Sequence, residues 1–202
     1  MKRSIIYTNH LLYRLIMFLL DGREYWNRFK TVSNLIDRDS SVVELCCGFG
    51  DFYNYALKRK NIDYLGVDLS PEFVRYGAKR GVNIILQDVT NFNFPVSDYY
   101  VMFSSLYHFQ PNPEDLIKKM LFTARKKVII VEPIKNLLNS EYKVISRLAL
   151  SLTNEGGGKN NFRFTEESLR GLMDSYFKKN IINISRTKNG KEIIYILKPK
   201  GN

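Results

Sequence analysis

Cysteine is scarce in this chain of 202 residues, which contains only Cys46 and Cys47. Because adjacent cysteines cannot easily bridge to each other, the sequence predicts no disulfide framework. It also contains no Cys-x-x-Cys pair and no Cys/His cluster, so we expect no metal site. A reducing compartment, the cytoplasm, fits this cysteine content best.

Long apolar runs are also missing. The most membrane-like stretch runs from Leu11 to Leu20 and contains Arg14, whereas a spanning helix needs roughly 20 apolar residues. Met1 to Arg3 resemble the start of a signal peptide, but Asp21 to Arg23 stand where small cleavage-site residues are expected. We therefore expect neither a membrane span nor secretion.

The chain has no linker rich in glycine, proline or serine and no internal repeat, which favours a single domain over residues 1–202. From residue 41 onward, apolar runs alternate with amphipathic runs, which is typical of βαβ units and a parallel sheet. The predicted parallel strands are Val42–Leu45, Tyr64–Leu69, Val82–Leu86, Tyr99–Ser104 and Val128–Val131. The predicted fold class is a doubly wound α/β domain.

Helix signals separate these strands. The predicted helices begin at Asp51, at Ser70-Pro71, at Asn112-Pro113 and at Thr165, and they end near Lys60, Gly81, Arg125 and Phe177. Two alternating strands, Ile181–Ser185 and Ile193–Leu197, are joined around Asn189-Gly190, a pair that tolerates the positive φ angles of a hairpin turn. The sheet therefore gains an antiparallel strand at its end.

The turn after the first strand has the sequence VVELCCGFGDF, with Gly48 and Gly50 in it. A glycine without Cβ lets a ligand approach the backbone closely. The dinucleotide fingerprint needs glycine or alanine three residues after Gly50, where Tyr53 stands. Glu44 and Asp51 add negative charge, which suits a cation such as S-adenosylmethionine (SAM) better than a pyrophosphate.

Acidic residues also close the next two strands. Asp68 ends the second strand, where doubly wound nucleotide folds place an acid that accepts hydrogen bonds from ribose hydroxyls. Asp88 and Val89 follow the third strand. An acid there can accept from an adenine amine while an apolar neighbour packs against the ring.

Glu44, Gly48, Gly50, Asp68 and Asp88, together with the closing hairpin, resemble the class I SAM-dependent methyltransferases over residues 41–199. The resemblance implies a Rossmann-like, mostly parallel sheet of seven strands in the order 3-2-1-4-5-7-6, the last strand antiparallel, beneath an N-terminal helical cover. It also implies the cofactor SAM, released as S-adenosylhomocysteine (SAH). The implied cofactor-binding residues are Glu44, Cys46, Gly48, Phe49, Gly50, Asp68, Leu69, Asp88, Val89 and Ser104. One departure is Cys46, where the family commonly has a further glycine.

Residues after the fourth and fifth strands are candidates for chemistry on the methyl acceptor. His108 can serve as a general base and Tyr107 can orient the acceptor, although the same residues equally fit loop hydrogen bonding and packing. Glu132 follows the fifth strand and can also cap a strand end. Arg163 can meet an acidic substrate group or a carboxylate of the fold.

Two long segments flank this core. Residues 1–40 contain an apolar stripe, Leu12 to Leu20, followed by Tyr25, Trp26 and Phe29, which resembles the helical cover of small-molecule methyltransferases. Residues 134–164 include three glycines between Asn154 and Asn161 and predict a substrate lid.

The net charge of +11 raises a nucleic-acid alternative. The basic clusters 58–60, 79–80, 125–127 and 178–179, however, follow predicted helix ends, which lie opposite the ligand edge of such a sheet. We therefore expect a methyltransferase that transfers a methyl group to an oxygen or nitrogen atom of a small metabolite, including apolar metabolites. The alternatives are a methyltransferase of RNA or another nucleic acid and a SAM-binding module without catalysis.

Overall fold

A computed structural model describes residues 22–134 and 162–199 of the chain. The strands are β1 (Ser41–Leu45), β2 (Asp63–Asp68), β3 (Ile84–Leu86), β4 (Ser97–Phe103), β5 (Ala124–Pro133), β6 (Ile181–Arg186) and β7 (Glu192–Leu197). The α-helices are α1 (Glu24–Ser33), α2 (Pro71–Lys79), α3 (Pro113–Thr123) and α4 (Glu166–Phe177). A π-helical segment spans Tyr53–Leu57, and 3-10 turns span Val89–Asn91 and Leu106–Phe109.

The strands form one seven-stranded sheet in the order β3-β2-β1-β4-β5-β7-β6, which confirms the predicted order. β1 to β5 pair in parallel, whereas β7 is antiparallel to both β5 and β6. Val42, Val43 and Leu45 in β1 and residues 99–103 in β4 are all buried. A mostly apolar strand is expected to be covered on both faces of the sheet, and the burial of these residues agrees with that expectation.

The predicted helix starts match specific caps. Pro71 is the first residue of α2, and the Ser70 hydroxyl accepts from the Phe73 N–H at 3.5 Å. Thr165 and Ser168 form a reciprocal capping box at the start of α4. α3 begins at Pro113 as predicted, but the Asn112 side chain makes no capping hydrogen bond.

The boundary between α3 and β5 differs from the prediction. α3 ends at Thr123 and β5 begins at once with Ala124, so the basic residues 125–127 belong to the strand and not to the end of the helix. β5 can begin this early because β4 also begins before its predicted start, so that Ala124 of β5 pairs with Ser97 of β4. These cations still lie at the amino edge of the sheet, where Lys126 pairs with Asp37 at 2.9 Å.

Helices cover both faces of the sheet. Leu116 and Ile117 of α3 and Leu169 and Met173 of α4 pack into the core on one face. Tyr25, Phe29 and Val32 of α1 pack with the π-helical segment on the other. α1 is thus the described part of the predicted N-terminal cover.

Other predictions about the flanking segments concern residues outside the described ranges. The apolar stripe Leu12 to Leu20 and the glycine-containing stretch Asn154 to Asn161 are among them. The division into a cover (1–40), a core (41–199) and a lid (134–164) stays a prediction. Within residues 22–134 and 162–199, no helix has the length and apolar character needed to cross a membrane.

Candidate active site

A cavity of about 590 Å³ opens at the carboxyl ends of β1, β2 and β4. Its walls contain every cofactor-binding residue predicted from the sequence except Gly50, together with Tyr107 and His108. Parallel strands bring these residues together because their carboxyl ends meet at the same edge of the sheet. The binding and catalytic roles of these residues stay predictions.

The turn after β1 contains three residues with left-handed backbone conformations, Cys46 at φ 55°, Gly48 at φ 57° and Gly50 at φ 69°. A Cβ atom on Gly48 would have no other atom within 4 Å, so the backbone there faces open space. Cys46 is strained, because a residue with a Cβ pays roughly 1–2 kcal/mol in this region. A glycine is the usual solution, and the family pattern has one at this position.

Gly50 is tightly packed within the fold. It has φ 69°, and a Cβ built on it would lie 2.7 Å from Val82 Cγ1 and 3.1 Å from Ile84 Cδ1. The absent side chain therefore allows the helix after β1 to pack against the start of β3. Close packing and the positive φ both favour glycine at this position, and contact of Gly50 with the cofactor stays a prediction.

Asp68 at the end of β2 is held in place by the backbone. Its Oδ2 accepts from the Gly48 N–H at 2.8 Å, and its Oδ1 accepts from the Ser70 N–H at 2.9 Å. Asp68 is thus oriented in advance at the wall of the cavity.

Asp88 and Val89 form the wall beyond β3. Both hydrogen bonds of the Asp88 side chain, from the Thr90 N–H and the Thr90 hydroxyl, use Oδ1 at 2.8 and 2.7 Å. This leaves Oδ2 as an acceptor for a ligand. Val89 is buried, whereas Leu69 after β2 is largely exposed on the cavity rim.

Glu44 is buried at the inner wall of the cavity. The Tyr64 hydroxyl donates a hydrogen bond to its Oε2. Burial raises the pKa of Glu44 to about 8; the Tyr64 hydrogen bond and Arg28 oppose this rise, while Asp51 and Asp68 add to it. A cation in the cavity would favour the ionised form.

Asp51 offers less negative charge to a cation than its sequence position suggests. Its Oδ1 accepts from Arg80 Nη1 at 3.0 Å, and its Oδ2 accepts from the Tyr25 hydroxyl at 3.3 Å. Arg80, which the sequence assigns to the opposite rim, therefore reaches a carboxylate of the cavity wall. Such a contact depends on the length and direction of the arginine side chain. The position of a helix end along the chain does not give either of these.

Arg28 of α1 is a cavity residue that the sequence analysis missed. It is 6% exposed, and its Nη1 donates to Glu192 Oε1 at 2.9 Å and to the Ser104 hydroxyl at 3.2 Å. Its guanidinium also lies over the Tyr25 and Phe29 rings, 4.6 and 4.9 Å from their centroids. The sequence shows Tyr25, Trp26 and Phe29 close together. A charged residue among these aromatic residues was the signal that could have identified Arg28.

Tyr107 and His108 lie in the 3-10 turn after β4. Their ring centroids are 4.1 Å apart, and His108 is exposed on the cavity side while Tyr107 is half-buried. The Arg163 guanidinium lies 3.8 Å from the Tyr107 ring centroid. Of the two partners predicted for Arg163, the structure gives a carboxylate of the fold, Glu132, with which it interacts electrostatically. The contact with the Tyr107 ring was not predicted.

Glu132 of β5 is fully buried and is not part of the cavity wall. Its Oε1 accepts from the Ser105 N–H at 2.7 Å and from the Leu106 N–H at 2.6 Å. Glu132 therefore anchors the start of the turn that carries Tyr107 and His108. Burial raises the pKa of Glu132 to about 8, against the effect of these two hydrogen bonds.

Solved structures of methyltransferases share this fold. The magnesium protoporphyrin IX methyltransferase of Synechocystis with bound SAM has a TM-score of 0.62 and 13% identity, covering 88% of this chain and 81% of its own. The plantazolicin methyltransferase BpumL, in complex with SAH and a monoazolic desmethylPZN analog, has a TM-score of 0.66 and 16% identity, with coverages of 88% and 84%. The cofactor expected from the sequence, SAM, is the one that these neighbours hold as itself or as its product.

A curated relative is UPF0146 protein PH0209 of Pyrococcus horikoshii, which is 30% identical over 89 residues. The match covers 44% of this chain and 65% of that protein. The model of the family described as methionine biosynthesis protein MetW matches residues 26–154, which is more than half of the chain. The chain has the fold of the class I methyltransferases and belongs to the MetW family.

Proposed function

We propose that this chain is a SAM-dependent methyltransferase that transfers the methyl group to oxygen or nitrogen of a small molecule. The single observation that carries the proposal is the convergence of Glu44, Asp68 and Asp88 on one cavity at the carboxyl ends of successive strands. Membership of the MetW family and the fold of the neighbours support the same class.

The residues of the cavity fit SAM. A volume of about 590 Å³ lies within the range of small-molecule sites. The open space beside Gly48 suits close contact with a ligand, the Asp68 carboxylate lines the cavity, and Asp88 Oδ2 is an acceptor for an amine donor. We assign the methionine end to Glu44 and the turn at Gly48, the ribose to Asp68 and the adenine to Asp88 and Val89.

When bound, SAM supplies a methyl group on a positively charged sulfur. The chain itself then has to position the acceptor and to take a proton where the nucleophile carries one. Phe29, Phe103 and Tyr107 provide apolar surface for the acceptor, and His108 is within the same cavity. A neutral imidazole at His108 is the proposed proton acceptor.

Calorimetry with SAM tests the cofactor assignment. Asp68→Asn removes the negative charge but keeps an oxygen that can accept from the backbone, and we expect at least about tenfold weaker binding, as for loss of a hydrogen bond to a charged group. Asp63→Asn, an exposed acid at the other end of β2, is the matched control and should bind like the wild type. Equal affinity of Asp68→Asn and wild type would refute the ribose assignment.

Catalysis needs a separate test, because a SAM-binding module without catalysis predicts the same binding data. The protein is incubated with methyl-labelled SAM and an extract of small metabolites, and separately with total RNA. Label in a small molecule supports the proposal, label in RNA supports the nucleic-acid alternative, and binding without any transfer supports the module.

A further inference from the structure

Tyr64 and Glu44 form a buried pair on neighbouring strands. Both side chains are at most 4% exposed, and the Tyr64 hydroxyl donates to Glu44 Oε2. In the register of β1 and β2, Glu44 lies opposite Gly66 while Tyr64 lies opposite Val42. The tyrosine ring must therefore extend along its own strand, across position 66, to reach the carboxylate.

Gly66 leaves the room for this arrangement. A Cβ on Gly66 would lie 3.1 Å from the Tyr64 hydroxyl oxygen and 2.7 Å from Cys47 Sγ. Glycine in the interior of a strand is otherwise unfavourable, and it often marks a close approach of other atoms. Here the missing side chain lets the Tyr64 hydroxyl lie next to a residue of the cavity wall.

We propose that Tyr64 is a positioning residue for cofactor binding: its hydroxyl fixes Glu44 Oε2, stabilises the ionised carboxylate and leaves Oε1 to the cationic end of the ligand. This inference rests on the proposed function, because it assigns the ligand of Glu44 to SAM. Tyr64 itself is absent from the cavity wall and acts only through Glu44.

The charges around Glu44 make this hydrogen bond important. Arg28 from α1 favours the ionised form of Glu44, whereas Asp51 and Asp68 disfavour it. The Glu44 carboxylate in turn raises the pKa of the neighbouring Cys47 thiol. Burial and the nearby carboxylate raise the pKa of Tyr64 well above its usual value, so its hydroxyl stays a donor at neutral pH. Without that donor the pKa of Glu44 rises further, and a larger fraction of the protein is protonated at Glu44.

The test is the SAM dissociation constant of Tyr64→Phe relative to wild type across about pH 6 to 9. We expect binding to be about tenfold weaker near pH 7 and only about twofold weaker near pH 9, as for a rise of about one pKa unit in Glu44. Protonation of SAM itself affects both proteins equally, so it cancels in the ratio of the variant's dissociation constant to that of the wild type. In a Glu44→Gln background, Tyr64→Phe should have no pH-dependent effect.

Tyr99→Phe is the matched control. Tyr99 is also buried and donates to a carboxylate, Asp37 Oδ2 at 2.7 Å, but at the amino edge of the sheet. The SAM dissociation constant of Tyr99→Phe should equal that of the wild type at every pH. If Tyr64→Phe does not fold, Tyr64→Met, which also removes the hydroxyl but has a flexible apolar side chain that adapts to the space, should give the same pH-dependent weakening.

A ratio that is the same at every pH, or equal affinity of Tyr64→Phe and wild type, overturns the positioning role. A wild-type protein that does not bind SAM at any pH overturns the proposed function instead. The two failures are thus distinguishable in one set of titrations.

Discussion

Replacement of Cys46 with glycine is expected to stabilise the folded chain. Cys46 has φ 55°, where its Cβ crowds the following carbonyl at a cost of roughly 1–2 kcal/mol. Glycine removes this strain but also makes the unfolded chain more flexible, which costs about 0.4–1 kcal/mol. The expected net gain in the free energy of unfolding is therefore roughly 0–1.6 kcal/mol, with a central value of about 0.8 kcal/mol.

Cys46→Ala is the reference for this prediction, because alanine removes the thiol but keeps the Cβ and its strain. Urea unfolding should show Cys46→Gly to be about 1 kcal/mol more stable than Cys46→Ala, equivalent to about 2–4 °C in Tm for a chain of this size. A glycine variant that is less stable than Cys46→Ala would refute the idea that the backbone at position 46 is strained.

Ser104 provides a contrast at a similar angle. It has φ 50°, but its hydroxyl donates to Glu192 Oε1 at 3.1 Å and accepts from Arg28. Ser104→Gly relieves the same kind of strain and loses these hydrogen bonds between buried or half-buried groups, each worth about 1 kcal/mol. The gain seen at position 46 should therefore be absent at position 104.

Two further predictions concern buried acids and glycines. Stability should fall as pH rises from about 4.5 to about 8, because folded Glu44 and Glu132 keep protons that the unfolded chain has released. Glu132→Gln should flatten this fall in urea unfolding at constant ionic strength, and an unchanged slope would contradict the assignment. Gly48→Ala should cost about 1 kcal/mol from the positive φ alone, and Gly50→Ala should cost more because its Cβ also meets Val82; thermal unfolding that ranks Gly50→Ala as the milder change would count against this.

Much of the fold follows from local patterns in the sequence. Residues 99–103 of β4 are apolar or aromatic throughout because both faces of the strand are covered, and Ser70-Pro71 and Thr165 begin helices through their own side chains and backbone. Parallel pairing then places the carboxyl ends of the strands at one edge without any further information. For this reason the positions of Glu44, Asp68 and Asp88 along the chain were enough to predict that they meet.

Contacts between distant elements were not predictable in the same way. Arg28 and Glu192 are 164 positions apart, and their ion pair depends on how α1 packs against the sheet. The role of Gly50 depends on which side chains of β3 lie beside it, and that of Gly66 depends on the reach of Tyr64. Periodicity assigns a face to each residue but not the neighbour that fills the space above it.

This difference matters most for the charge that a ligand meets. Counted from the sequence, Glu44, Asp51, Asp68 and Asp88 offer four negative charges to a cation. In the structure Arg80 pairs with Asp51, and the raised pKa of Glu44 keeps much of that carboxyl protonated at neutral pH. The negative charge that a ligand meets is therefore smaller than the count of four, and ionisation of Glu44 accompanies the arrival of a cation. Such coupling makes affinity for SAM depend on pH more steeply than affinity for a neutral ligand of the same cavity.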